Sequence, residues 1–333
     1  MKKRILAIVL LFVLALSSCG AQVNQSKNMS TALAAADAQK VLCVGRKGKI
    51  LSNIPAGTSV CDWTATAYSL LGVKDDYDKY LSALEEYVSQ KYQEEGKLDR
   101  AKATEWHRIA LTVLALGGDP TAFGTDKNGK AVDLIADGTF NYINEDLGEQ
   151  GINGYIYALI ILDAGDFTVP DGSKYTKEMI LDNILSAQNS DGGFGLVEGK
   201  SDADLTAMAV QALAKYDDPK IRDAVDTAVV YLSENQDGDG AYSGREGESA
   251  ETCCQVIMAL CASGIDPRTD DRFIKHGTSI YDALLEFQIE DGSFVHDKND
   301  IKGDPMSTEQ AMLALAAVEN FDKGINGIFD FTE

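Results

Sequence analysis

One short phrase occurs three times in this chain and restricts its fold more than any other feature. It reads Gln188-Asn-Ser-Asp191-Gly192-Gly193-Phe194, then Gln236-Asp-Gly-Asp239-Gly240-Ala241-Tyr242, then Gln288-Ile-Glu-Asp291-Gly292-Ser293-Phe294. The copies begin 48 and 52 residues apart. A period of that size belongs to arrays of supersecondary units, each too small to bury its own apolar face. Every copy closes an amphipathic stretch. Ahead of the second, Ile221, Ala224, Val225, Ala228, Val229 and Leu232 fall on one stripe of a helix, and Ile280, Ala283, Leu284 and Phe287 do so ahead of the third. Asp-Gly then stops the helix, because glycine takes a left-handed conformation without a steric penalty. The aromatic that follows should fold back over the helix end, with the glutamine bonding the freed carbonyls.

After the stops come segments that are apolar nearly all round, such as residues 205–213 and 252–260. Helices of that kind are buried, so they should form an inner layer. Aligned on their last large aliphatic residue, they end at Leu71, Leu114, Ile161, Leu213, Leu260 and Leu315, with steps of 43, 47, 52, 47 and 55 residues. Outer helices fit between them. Residues 31–44 read as the first, and Tyr80, Ala83, Leu84, Tyr87 and Val88 form the stripe of another, closed by the weaker phrase Gly96-Lys97-Leu98. The third hairpin, over 141–162, is the least regular. The expected fold is all-α: a single α/α toroid, an (α/α)6 barrel of about six helical hairpins over residues 30–333.

The phrase between alternating outer and inner helices resembles the prenyltransferase and squalene-cyclase repeat of the terpenoid-cyclase-like toroids. The resemblance covers about residues 30–333. That superfamily includes terpene cyclases, protein prenyltransferase β subunits, cobalamin carriers and complement thioester domains, so it implies a fold and leaves the activity open. The tryptophan that usually ends the motif is Phe194, Tyr242 or Phe294 here.

The first residues point to export. Met1-Lys2-Lys3-Arg4 is basic, and the apolar run from Ile5 to Leu16 is too short to span a bilayer but suits a signal peptide. Leu16-Ser17-Ser18-Cys19 resembles a bacterial lipobox. It implies a signal peptide over 1–18, a lipidated Cys19, a polar tether over 19–29, and a place on the extracytoplasmic face of the cell membrane. The formal charge is −22, and this excess of carboxylates argues against nucleic acid as a partner. A small molecule, a glycan or a protein remains as the partner.

Five further cysteines, Cys43, Cys61, Cys253, Cys254 and Cys261, leave at least one thiol unpaired. A bond between Cys43 and Cys61 stays open. Zinc is not expected. Glu251-Thr252-Cys253 mimics the Asp-x-Cys pair of the protein prenyltransferases, but the next inner helix begins Pro305-Met306-Ser307-Thr308, without the histidine ligand. No cofactor is expected. The alternative is calcium at Asn235, Asp237, Asp239 and Glu246, which match most of a calcium-loop spacing but coincide with the helix-stop phrase.

Chemistry is expected where the inner helices start. Stepping back from the aligned aliphatics gives Asp62, Glu105, Asp204 and Glu251, and the next positions include Trp63 and Trp106, with His107 one further on. These seven residues are the candidate ligand-binding set. The plainer reading is that the acids cap helices and offset the dipole. One start is more specific: Asp202-Ala203-Asp204-Leu205-Thr206-Ala207 looks like the D-x-D-D-T-A motif of class II terpene cyclases. That likeness implies Asp204 as a proton donor, with Leu205 replacing the last aspartate. The leading expectation is a lipid-anchored binding or interaction protein without catalysis. The alternative is an enzyme, either terpene cyclase-like through Asp202 and Asp204 or carbohydrate-active through paired carboxylates.

Overall fold

The computed structural model describes residues 27–244 and 247–332. The lipobox, Cys19 and Glu246 lie outside the described residues. Alternating helices follow one another from α1 (27–44) through α2 (Ser59–Leu70), α3 (Tyr77–Glu94), α4 (Thr104–Ala115), α5 (Leu134–Gly138) and α6 (Asn153–Ala164). The second half continues with α7 (Lys177–Ser186), α8 (Ala203–Leu213), α9 (Pro219–Glu234), α10 (Ala250–Ala262), α11 (Ile280–Leu285) and α12 (Pro305–Asp322).

The even-numbered helices are the inner layer. Each packs on the next, and α12 packs back on α2, so the ring closes. Their composition requires this place. In α10 all residues from Thr252 to Cys261 are buried, and a helix apolar on every face needs protein on every face. The odd-numbered helices show only one buried stripe to the core, as in α3 with Tyr80, Leu84, Val88 and Tyr92. The first helix is already formed at residue 27, ahead of the expected Thr31, and Asn28 is buried with its amide donating to the Leu315 carbonyl (3.0 Å). Gln39 then stitches α1 to both ends of the ring, donating to Thr64 Oγ1 (2.8 Å) and to the Pro305 carbonyl (3.0 Å). In the irregular third hairpin the outer helix shrinks to α5 and precedes residue 141.

The repeated phrase stops helices as expected, but its glutamine acts differently. Gln188 donates to the Gly192 carbonyl within the phrase and to the Ala224 carbonyl on α9, both at 2.8 Å. Gln236 does the same with Gly240 and Phe273. The glutamine therefore closes the turn on itself and ties it to the following outer element, instead of serving the helix that just ended. The glycines have φ near +90° and lie against that same neighbour. A Cβ at Gly192 would fall 2.7 Å from the Thr227 carbonyl, and one at Gly292 would fall 2.9 Å from that of Ala34 on α1. The aromatic does fold back, Tyr242 donating to the Leu232 carbonyl on α9 (2.6 Å). Two small antiparallel hairpins, β1 (Phe194–Val197) with β2 (Lys200–Asp202) and β3 (Ile274–Lys275) with β4 (Thr278–Ser279), fill loops between helices.

After α12 the chain turns at Gly324 and Gly327, both in the left-handed region, and crosses the end of the ring where the inner helices finish. Phe331 N–H donates to the Ala164 carbonyl (2.8 Å), and the Phe329 ring lies 6.0 Å from that of Trp63.

Candidate active site at the mouth of the inner ring

The first-turn acids are not the caps. Helix α8 is capped by Asp202, which accepts from Leu205 N–H (2.8 Å), α10 by Ser249 and α12 by Asp304. Asp204 and Glu251 sit two residues inside the caps of α8 and α10, where these inner helices start. Burial is the main influence on Asp204. It pushes the carboxyl up to about 6 against the hydrogen bond of Thr252, and the neighbouring charges of Asp202 and Glu251 push the same way. Glu251 is held from several sides. Its Oε2 lies 2.7 Å from His296 Nδ1 and accepts from Ser249 Oγ (3.1 Å), while Oε1 accepts from Ser307 Oγ (2.5 Å).

A cavity of about 410 Å³ opens next to Leu205, the residue after Asp204, although neither Asp204 nor Glu251 is among the residues that line it. Trp63, Tyr157, Leu205 and Met208 form its apolar part, and Lys102, Glu105, Arg108, Gln150 and Asn153 are among its polar lining. Trp63 and Tyr157 lie 6.5 Å apart, ring to ring. Glu105 is gripped in a fork by Arg108 (2.7 and 2.9 Å). Trp63 and Glu105 therefore line this cavity, while Asp204 and Glu251 lie in the first turns of the inner helices α8 and α10 without lining it.

Asp62, Trp106 and His107 are elsewhere, turned outward into the layer between the rings. Asp62 is fully buried and accepts from Tyr80 on α3 (2.6 Å), from Gly57 N–H (2.9 Å) and from Arg108 Nε (2.9 Å). Trp106 is fully buried and donates to Tyr92 on α3 (2.8 Å). His107 lies 2.6 Å from the Gly138 carbonyl, and burial pushes it down to about 4, so it is neutral. The reason is register. Side-chain contacts between α2 and α4, such as Thr66 with Thr112 and Asp62 with Arg108, join residues 46 apart. Aligning the last aliphatics instead paired residues 43 apart. Three residues fall about 60° short of a full helical turn, so Trp63 and Trp106 are not equivalent.

Several functional candidates escaped the sequence reading. Tyr157 and Arg108 line the mouth from positions that periodicity does not distinguish from core. Glu309 lies in the apolar stretch of α12, and a carboxyl inside such a stretch was the available signal. It is buried, its Oε2 has no hydrogen-bond partner, and its Oε1 accepts from Gln310 (3.2 Å). Burial, reinforced by the charges of Glu251 and Asp304, holds it well above the usual carboxylate range.

All five described cysteines, Cys43 and Cys61 included, are free. Of the four calcium-loop positions, Asn235 donates to the Tyr231 carbonyl (2.9 Å) and Asp239 accepts from Lys298 (2.7 Å). Lys298 also reaches Glu248 and Glu286. Among the described residues, no group of three or more His, Cys, Asp or Glu side chains could hold a metal ion.

By sequence, the chain is 29% identical over 137 residues to the drimenyl diphosphate synthase of Streptomyces showdoensis. The match covers 40% of this chain and 25% of that protein, so the chain spans about a quarter of the length of this relative. By structure it is similar to the type II terpene cyclase MstE from Scytonema, with 15% identity, a TM-score of 0.53, and 90% and 98% of the two chains covered. A variant of MstE in complex with geranylgeranyl dihydroxybenzoate gives 14% identity and a TM-score of 0.55, covering 91% and 99%. A protein from Actinoplanes gives 13% and 0.52, covering 89% and 99%. At these identities the structural likenesses speak for the fold.

The expectation of a binding or interaction protein without catalysis is overturned here. The relative found by sequence is a diphosphate synthase, which favours the enzyme alternative over a binding protein. Residues 47–256 match the model of the prenyltransferase alpha-alpha toroid domain, and the chain belongs to that family.

Proposed function

We propose that this toroid is a class II terpene cyclase-like enzyme that starts cyclisation of an isoprenoid by protonating an alkene from Asp204. The observation that carries the reading is the Asp204 carboxyl itself. It lies in the first turn of the inner helix α8 next to Leu205, which lines the cavity together with Trp63 and Tyr157, and burial pushes it up to about 6. In the step, the Asp204 O–H bond breaks and a C–H bond forms at one alkene carbon, leaving a carbocation on the other. Ring closure moves the positive charge along the chain. Loss of a proton from carbon ends the reaction, so it needs no oxidant or reductant.

The surroundings suit that chemistry. Thr252 bonds to Asp204 and stabilises the carboxylate left behind. Asp202 is engaged by Leu205 N–H, so it orients the helix start and leaves the proton transfer to Asp204. The rings of Trp63 and Tyr157, both lining the cavity, supply the negative quadrupole that attracts a cation. Exposed Lys102 at the rim suits an anionic head on the substrate. Leu205, where the cyclase motif has an aspartate, removes one carboxylate from the acid's neighbourhood and adds an apolar wall.

The test is product analysis by gas chromatography and mass spectrometry after incubation with farnesyl and geranylgeranyl diphosphate. The wild-type protein should give a cyclic product, and Asp204→Asn should give none while still binding substrate. Absence of any cyclic product from wild type rejects the reading. We also propose, from the sequence alone, that lipid on Cys19 holds the enzyme at the extracytoplasmic face of the membrane.

A further inference from the structure

Each turnover of the proposed reaction leaves Asp204 as a carboxylate, while the proton lost at the end comes off carbon. The acid must therefore be reprotonated before the next substrate, and Asp204 is only partly open to water. One titratable side chain near it has no part in the step so far. His296 stands on the loop before α12 with its ring exposed, and its Nδ1 lies 2.7 Å from Glu251 Oε2. Its backbone carbonyl accepts from Ala250 N–H (3.1 Å), which fixes the loop to the start of α10 without help from the ring. His296 also lines a groove of about 460 Å³ with Leu42, Lys302 and Asp304.

We propose that His296 and Glu251 return the proton to Asp204 after each turnover, His296 taking it from solvent and Glu251 passing it inward. The inference rests on the reading of Asp204 as the proton donor and adds how that donor is renewed. In the step, the Nδ1–H bond of the imidazolium breaks as an O–H bond forms at Glu251 Oε2. Glu251 then gives a proton, through one water, to the Asp204 carboxylate. The neutral ring turns its bare nitrogen to solvent, a rotation open to an exposed side chain, and takes a proton from a buffer acid. One proton has moved from solvent to Asp204, and no electrons are exchanged.

Position supports this first. Glu251 directly precedes Thr252, whose side chain bonds to Asp204, and α8 packs on α10 with both acids in the first turns. Glu251 is also a fixed target for the ring. Ser249 donates to the same Oε2 (3.1 Å), and Ser307, which bonds to Oε1, lies 3.2 Å from Asp304. The other titratable groups around Glu251 are Asp204 on α8, Cys254 on α10, and Asp304 and Glu309 at the start of α12. None of these is a cation. Lys298, two residues beyond the ring, is taken up by Asp239, Glu248 and Glu286. Burial pulls His296 down, but Glu251, with Asp300 and Asp304, outweighs it and holds the imidazole above its ordinary value. It therefore keeps more of its charge near neutral pH than a free imidazole would.

Two measurements test this, the first without turnover. The chain has three histidines, so the His296 ring can be followed by NMR as pH is varied. Its midpoint should fall by about one pH unit in Glu251→Gln. An inflection near pH 6, reporting the ionisation of Asp204, should vanish in Asp204→Asn. The second measurement gives wild type and His296→Gln excess farnesyl diphosphate at pH 5.5, where Asp204 starts protonated. His296→Gln should form the first equivalent of cyclic product as fast as wild type. It should then turn over about tenfold more slowly, with added imidazole restoring the rate. A His296 titration that is the same in all three proteins overturns the inference. So does steady turnover in His296→Gln that matches wild type, or that falls only together with the first equivalent. A wild type that forms no cyclic product overturns the acid's role and the relay with it, whereas an active wild type matched by His296→Gln overturns the relay alone.

Discussion

Asp204 links the chemistry to a pH dependence whose sign is fixed by the direction of its shift. Its folded value is about 6 against an ordinary 3.8, so the folded protein holds this proton more tightly than the unfolded chain does. The stabilisation is complete below the unfolded value and is lost as pH rises through about 6. Asn cannot ionise, so Asp204→Asn should be more stable than wild type above pH 6, by on the order of 2 kcal/mol, with the difference shrinking toward pH 4. Urea unfolding at pH 4.5 and 7.5 measures this. Cyclisation should likewise fall above about pH 6, as the donor loses its proton.

The two tryptophans should behave unlike each other. Trp106→Ala opens a hole beside Tyr92 and Tyr142 and should cost about 3–5 kcal/mol of stability. Trp63→Ala lies on the lumen and should cost much less while changing ligand binding. Urea midpoints separate the two. Sequence spacing found Trp63, Asp204 and Glu251 near the starts of inner helices because they share that position in the repeat. It misplaced Trp106, His107 and Asp62, since helix register between neighbours is set by packing and a common final aliphatic does not fix it.

At the scale of elements, the repeated phrase was legible because it needs particular residues. Asp191, Asp239 and Asp291 each accept from the N–H two positions on, at about 3 Å. The glycine between must take positive φ and lie against a neighbour's backbone. Gly292→Ala would meet both the φ of +91° and the Ala34 carbonyl at 2.9 Å, and should cost about 1–3 kcal/mol. Gly72→Ala, at φ +66° with nothing within 4 Å, should cost less, about 1 kcal/mol. Comparing the two by urea unfolding separates the contact from the backbone term. What the phrase did not reveal is the second partner of its glutamine, since a long-range carbonyl leaves no local trace in the sequence. Nor did the sequence show how short the outer helix α5 is, because Gly138 there approaches Trp106 closely and tertiary packing overrides helical propensity.

On the scale of the whole molecule, closure of the ring was implied by six all-round apolar helices, none of which can be an edge. The route of the chain after α12 was not, because Ile328 and Phe329 look like any apolar tail until the ring is assembled. Lys27, the first described residue of α1, lines a cleft with Arg268 and Thr269 beyond the end of α10, so this end of α1 lies at the mouth far from Asp204. A lipid on Cys19, proposed from the sequence, would hold the protein at the membrane. Cys19→Ala should therefore move the protein from the membrane fraction to the soluble extracytoplasmic fraction, read by fractionation and intact mass.

The central claim is that Asp204 delivers a proton to carbon. It is tested most directly by running the reaction in deuterium oxide and measuring the product by mass spectrometry. The account predicts a cyclic product carrying one solvent deuterium at the carbon where cyclisation begins, and no such product from Asp204→Asn. A cyclic product without deuterium at that carbon, or one that persists in Asp204→Asn, would contradict it.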